Sequence, residues 1–224
     1  MDVVYIVRPG DRNDELRYSL RSLANLPHDR VWIVGHRPPW VTNVTHVVAE
    51  QGGYKHANTW RAWLTIAAHD GISDEFVLFN DDMFVMHPVD RVPLWWREPL
   101  DVWVDRWARC GVRGYARAVA TVKLLADAGV DVAGGKAWEL HTPMPARKEA
   151  FVAAVEAALS LGSGIELASM LSKRTWYANH ARLVGEQGND CKIRSDQEWQ
   201  QAGGAAEVSS WPFLSTDDAS FARS

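Results

Sequence analysis

Phe76-Val-Leu-Phe-Asn-Asp-Asp-Met-Phe84 is the stretch whose reading decides the fold: four apolar residues, then Asn80, Asp81 and Asp82, then a second apolar run reaching Met86. An apolar run of this length is too short for a helix. It reads as a strand buried on both faces, the kind found in parallel sheets covered by helices. The same texture recurs toward the N-terminus, in Val3 to Val7 closed by Pro9-Gly10, in Val31 to Val34, and in Val44 to Val48. Between these runs Leu16, Leu20, Leu23 and Leu26 fall at helical spacing, with Arg17 and Arg21 on another side. Ala57 to Ala68 carries Trp60, Trp63 and Leu64 on one helical face. The order strand, helix, strand, strand, helix, strand predicts an α/β fold of three layers around a largely parallel sheet.

Past residue 90 the pattern loosens. A Trp-rich stretch holds Trp95, Trp96, Trp103 and Trp107, followed by a helix over Tyr115 to Ala128 and a short strand near Ala137 to Leu140. Helices are expected over Ala146 to Leu161 and Ile165 to Ala178, and loops after Gly185 and at Gly203-Gly204. With no internal repeat, low-complexity tract or long linker, the 224 residues read as one domain.

Composition narrows the function. Net charge is -4 and the pI near 6.1, with no long basic run, which speaks against a nucleic-acid partner. Cys110 and Cys191 stand in no metal-ligand spacing, so a disulfide scaffold is excluded and a reducing compartment, most simply the cytoplasm, is expected. The chain starts directly on a strand-like run, without the basic start and apolar stretch of a signal peptide, and no window approaches a membrane span. Twelve Trp residues are many for this length. Trp is chiefly a core residue, and the competing reading is an apolar platform for a sugar ring.

Ligands of α/β sheets gather at the carboxyl ends of strands. After the first strand come Arg8, Asp11, Asn13 and Glu15, and after the fourth Asn80, Asp81 and Asp82. Paired carboxylates behind a buried strand repel, and Mg²⁺ or Mn²⁺ would relieve them while keeping positions for phosphate oxygens. A plain Asn-Asp-Asp turn is the alternative. Gly52-Gly53-Tyr54-Lys55 leads into the helix holding Asn58 and Arg61, where free N–H groups and a Lys suit a phosphate, or simply form a solvated lead-in. His141 sits in His-Thr-Pro-Met-Pro, whose prolines fix the backbone around a candidate general base or phosphate ligand. Near the C-terminal end, Phe213-Leu214 opens onto Ser215-Thr216-Asp217-Asp218, a second carboxylate pair or a solvated loop. A Walker loop, a GxGxxG turn, a GxSxG elbow and an HExxH helix are all missing, which disfavours NTPase, dehydrogenase, serine hydrolase and zinc protease activities.

Asn13-Asp-Glu-Leu-Arg-Tyr-Ser-Leu-Arg-Ser-Leu23, Val31-Trp-Ile-Val-Gly35 with Pro38-Pro39-Trp40, and residues 76–84 together resemble the Stealth family of sugar-1-phosphate transferases. His141-Thr-Pro-Met-Pro and Phe213 to Asp218 are similar to two later segments of that family, with Thr216 in place of an Asn. The resemblance implies a GT-A-like, Rossmann-like nucleotide-sugar-binding fold, with residues 1–90 holding the donor and 91–224 completing the acceptor and metal side. It makes Asp82 a catalytic metal ligand, Asn80 and Asp81 its supporters, Asp217 a second metal-side carboxylate and His141 catalytic. Arg8, Asn13, Glu15 and Arg17 would surround the nucleotide sugar, joined by Asp11, Lys55 and Asn58. The family carries an Arg ahead of an acidic residue where this chain reads Gly162-Ser-Gly-Ile-Glu166, although Lys173, Arg174 or Arg182 could reach the site. The expected activity is therefore metal-dependent glycosyl transfer from a UDP-sugar to a glycan or protein hydroxyl, ahead of sugar-1-phosphate transfer. A catalytically silent carbohydrate-binding module is the reading from another class.

Overall fold

In the computed structural model, which describes residues 1–10, 12–161 and 170–217, the first strand, β1 (Asp2–Val7), is the centre of a five-stranded sheet. It is parallel to β2 (Val31–Gly35) on one side and to Glu75–Asn80 on the other, and Thr45–Val47 continues the sheet beyond β2. Those two strands are β3 (Thr45–Val47) and β4 (Glu75–Asn80). Side chains alternate between two buried faces. Val3, Tyr5 and Val7 of β1 join Ile33, Val77 and Phe79 beneath α1 (Asp14–Ser22), whose Leu16 enters the same core. Val4 joins Trp32, Val34, Phe76 and Leu78 on the opposite face, with Trp60, Trp63 and Ile66 of α2 (Lys55–Ala68). Helices on both faces of a mostly parallel sheet make this a mixed α/β fold, as the sequence pattern predicts, and one compatible with a Rossmann-like arrangement.

Local chemistry explains the element ends. α1 places Asp14 and Glu15 in its first turn and Arg21 in its last, in accord with the helix dipole. At the end of β2 the chain passes so close to β1 that a Cβ on Gly35 would stand 2.4 Å from the Val7 carbonyl oxygen, and its φ of 109° suits glycine alone.

Beyond β4 the chain forms β5 (Met83–Val85), β6 (Trp95–Trp96), β7 (Glu98–Pro99), α3 (Leu100–Cys110), α4 (Val112–Asp127) and β8 (Lys136–Ala137). Then follow β9 (Met144–Arg147), α5 (Lys148–Ser160), α6 (Lys173–His180), β10 (Glu186–Gln187) and β11 (Lys192–Ile193). The described chain ends with α7 (Asp196–Gln201), α8 (Gly204–Val208) and β12 (Phe213–Thr216). A small second sheet, in the order β11-β12-β5, brings the C-terminal segment alongside the residues that follow β4.

Several expectations need correction. The helix expected from Ala146 starts at Lys148, because Met144 to Arg147 is a strand pairing antiparallel with β4 at the sheet edge. Pro145 lacks an N–H to donate, which an edge position tolerates, and the prolines mask the strand in the sequence. The Trp-rich stretch contains α3, where Leu100 and Trp103 are buried one turn apart. The expected strand near Ala137 to Leu140 is confined to Lys136–Ala137. The loops expected after Gly185 carry β10, β11, α7 and α8. Of the helix expected over Ile165 to Ala178, residues 165–169 lie outside the described residues, and α6 runs Lys173–His180. The core reading of Trp holds for Trp32, Trp60, Trp63, Trp103, Trp138 and Trp176, each at most 3% exposed. Among the described residues, no helix is long and apolar enough to cross a membrane.

At the amino end of the sheet Asp2 is 1% exposed and fully bonded. Its carboxylate accepts from Arg30 Nε at 3.1 Å and Nη2 at 2.8 Å, from Trp32 Nε1 at 2.8 Å and from Ser73 N at 3.0 Å. One side chain thereby clamps β1, the lead-in to β2 and the lead-in to β4. Removing it leaves several buried donors unpaired, so Asp2→Ala is expected to lower stability by about 2–4 kcal/mol in urea denaturation. Arg30→Ala should cost less, because the guanidinium is half exposed and its loss leaves Trp32 and Ser73 still bonded to Asp2.

Candidate functional site

A cleft of ≈ 660 Å³ opens at the carboxyl end of the sheet, on the α2 face. Ile6 of β1 and Leu78 and Asn80 of β4 form its floor, Trp63 and Trp103 its apolar wall, and Trp107 with Gly114 its rim. A Cβ on Gly114 would lie 2.0 Å from the Trp107 ring, so the small residue lets α4 close against α3 there. The remaining lining is ionic and falls into two poles.

The first pole is cationic. Lys55 and His56 open α2, whose N-terminus has no side-chain cap and no acidic residue in its first turn. Arg117 of α4 donates from Nη2 to His56 Nε2 at 2.5 Å, which makes that nitrogen an acceptor and the imidazole neutral. Lys173, at the start of α6, is 9% exposed and lines the cleft. Its ammonium lies 5.8 Å from the centre of the Trp60 ring and, among the described residues, has no hydrogen-bond partner. Burial, then the charges of Lys173, Arg117 and Lys55, pushes the His56 pKa down to about 4. Burial also pushes Lys173 down to about 8, partly countered by Glu139 and reinforced by Arg117 and Lys55. These positive groups, beside an uncapped helix N-terminus, have the chemistry to receive an anion.

The second pole is mixed. His141 approaches Asp190 through Nδ1, 3.0 Å from Oδ1 and 3.1 Å from Oδ2, and its backbone N–H donates to Oδ1 at 3.0 Å. Burial would raise the Asp190 pKa, but the His141 bonds and Arg97 hold it well below the usual carboxylate range. An ionised carboxylate only accepts, so Nδ1 carries the proton and Nε2 keeps its lone pair in the neutral ring. Arg174 fixes the same segment by donating from Nη1 to the carbonyls of Leu140 at 2.8 Å and Thr142 at 2.5 Å. His141 thus has the orientation of a general base.

Asp82 and Asp217 meet here as the sequence suggests, but on an ammonium. Lys192 Nζ lies 2.6 Å from Asp82 Oδ2, 2.7 Å from Asp217 Oδ1 and 2.6 Å from the Thr216 carbonyl oxygen. Burial alone would lower the Lys192 pKa, yet Asp82 and Asp217 raise it above the usual lysine value. A divalent ion on the same two oxygens would stand about 4 Å from that charge, a repulsion of about 8 kcal/mol at an effective dielectric near ~20. Among the described residues no group of three His, Cys, Asp or Glu gathers as a metal set. The expected Mg²⁺ or Mn²⁺ therefore does not fit between these carboxylates while Lys192 is charged.

Of the residues singled out from the sequence, Lys55, Asn80, Asp82, His141 and Asp217 line the cleft. Asn58 is turned to local structure, its Oδ1 accepting from Gly52 N at 3.0 Å and Arg61 Nη1 at 3.1 Å. Arg8, Asn13, Glu15, Arg17 and Asp81 are not among the described lining residues. Asn13 bonds to the Arg8 carbonyl, and Arg17 stacks 4.8 Å from the Trp40 ring centre, on the α1 side of the sheet. Asp11, residues 162–166 and Asp218 lie outside the described residues. Lys173 and Arg174 do reach the cleft, whereas Arg182 is not among its described lining. Sequence reasoning missed His56, Arg117, Asp190 and Lys192, which meet Arg117, His56, His141 and Asp82 across 61, 61, 49 and 110 residues of chain. The sequence matches no family model and no curated protein.

The depressed Lys173 value has a testable sign. Its ammonium loses charge as pH rises through about 8, so pyrophosphate should bind well at neutral pH and weaken progressively above it, as calorimetry would record. Bound phosphate should also raise the His56 pKa in an NMR titration, since it offsets the neighbouring cations. An affinity that is flat across that range would place the anion elsewhere.

Proposed function

We propose that this chain is a transferase acting on a nucleotide-activated sugar, with the diphosphate held at the cationic pole. The observation that carries the reading is Lys173, a largely buried residue whose ammonium has no hydrogen-bond partner among the described residues and which lines the cleft beside Lys55, Arg117 and the open N-terminus of α2. A charge so placed is costly unless an anion joins it. The Rossmann-like sheet, with the cleft at the carboxyl end of β1 and β4, is compatible with the GT-A-like donor fold that the Stealth resemblance implies. It is His141, oriented by Asp190, that takes the proton from the acceptor hydroxyl.

Glycosyl transfer ranks first from the sequence only because no Arg stands at 162–166. Arg97, Arg106, Arg117, Arg174 and Arg194 all line the cleft, so guanidinium groups for a phosphorus-centred transition state are at hand. We therefore place sugar-1-phosphate transfer first. The acceptor oxygen bonds to the sugar-bearing phosphorus, its proton passes to His141 Nε2, and the bond from that phosphorus to the bridging oxygen breaks. The nucleoside monophosphate leaves with that oxygen.

The nucleotide released decides the reaction. UMP formed from a UDP-sugar, with phosphorus retained on the acceptor, is the expected product by chromatography. UDP would return the reaction to glycosyl transfer, and binding without turnover would favour a carbohydrate-binding module. His141→Ala should lower turnover by roughly 10²-fold or more with little change in melting temperature, its side chain being 38% exposed. Asp190→Asn should also lower turnover, because an amide no longer enforces the Nδ1–H tautomer.

A further inference from the structure

We infer that Lys192 is the permanent counter-ion of the Asp82–Asp217 pair and that this chain holds its anionic ligand without a divalent cation. The placement is set by backbone pairing. In the second sheet Lys192 of β11 is in register with Ser215 of β12, and Ser215 is in register with Met83 of β5. Asp82 immediately precedes that strand and Asp217 immediately follows β12, so both carboxylates converge on the strand that carries the lysine. Thr216 N also donates to the Asp82 carbonyl at 3.2 Å, which fixes the two carboxylate-bearing segments to each other.

The ammonium is fully used. Its three donors are taken by Asp82 Oδ2, Asp217 Oδ1 and the Thr216 carbonyl, and its side chain is 5% exposed. It therefore offsets one of the two negative charges, holds both carboxylates together and spares no donor for a ligand. The positive charge that a bound diphosphate requires comes instead from Lys55, Arg117 and Lys173 at the other pole. Asp82 Oδ1, buried with no hydrogen-bond partner among the described residues, is the one oxygen of that carboxylate a metal could still take, and it makes direct titration with the metal the deciding experiment.

The inference concerns the proposed donor site, but Mn²⁺ alone tests it without any donor. Mn²⁺ titrated into the full chain and followed by electron paramagnetic resonance should keep its free-ion signal, with any Kd weaker than about 1 mM. In Lys192→Ala the two carboxylates lose their counter-ion, so this variant should melt lower in chelator and recover on adding Mn²⁺, now bound through Asp82 and Asp217. Asp82→Asn should show no such rescue. UDP affinity of the unaltered chain should agree within about twofold in chelator and in Mn²⁺. A failure of UDP to bind at all would count against the donor reading and leave the Mn²⁺ result standing. If Lys192→Ala does not fold even with Mn²⁺, titration of the unaltered chain decides alone. Micromolar Mn²⁺ binding by the unaltered chain, lost in Asp82→Asn, would overturn the inference.

Discussion

A strand covered on both faces can keep polar groups only at its ends. Between Val3 and Val7, β1 carries one polar side-chain atom, the Tyr5 hydroxyl, and Ser19 Oγ lies 2.8 Å from it. Everything else polar is pushed outward along the strands: Asp2 to the amino end, where it is consumed as a clamp, and Asn80 and Asp82 to the carboxyl end, where they enter the cleft. The register of β1 with β4 sets Ile6 beside Asn80, so the floor of the site is an extension of the core. Its position is thus a consequence of burial, because an unsatisfied polar group inside the sheet would cost several kcal/mol by transfer estimates.

At that carboxyl end the charges are sorted. On one side, Lys192 bridges Asp82 and Asp217, and His141 meets Asp190, so each acidic side chain there has a basic partner. On the other, Lys55, His56, Arg117 and Lys173 gather with no acidic hydrogen-bond partner among the described residues, and burial together with these cations keeps His56 neutral. Like charges held together in a half-buried cleft reduce stability, and an anion entering it would relieve the repulsion. In the proposed reaction the first side positions the base and the second attracts the diphosphate.

The aromatic residues divide in a related way. Trp60, Trp63, Phe151 and Tyr177 pack through the helical layer in tilted and edge-to-face contacts, with Trp63 and Phe151 centroids 4.7 Å apart. That layer holds α2, α5 and α6 together, and so fixes the distance between Lys55 and Lys173. Trp107 at the rim and Trp63 in the wall are what a sugar ring would meet. The abundance of Trp thus serves the core first and offers the cleft only a limited apolar surface.

The α/β class, the central strands, α1, α2 and the strand-end positions of Asp82 and Asp217 were legible from the sequence, because burial periodicity and strand-end polarity are local properties of the chain. Pro145 hid an edge strand, and the short, half-buried pieces after Gly185 have too few residues for any period to show. What only the tertiary structure decided is the company each charge keeps. The carboxylates at 82 and 217, read along the chain, ask for a cation, and divalent metal and lysine answer that request equally well on paper. The sheet that joins β11, β12 and β5 brings a lysine from 110 residues away to within 2.6 Å of Asp82, and the helical layer assembles Lys55, Arg117 and Lys173 from three separate helices. Hydrophobic pattern is written residue by residue, whereas an ion pair depends on a distance that exists only after the chain has folded.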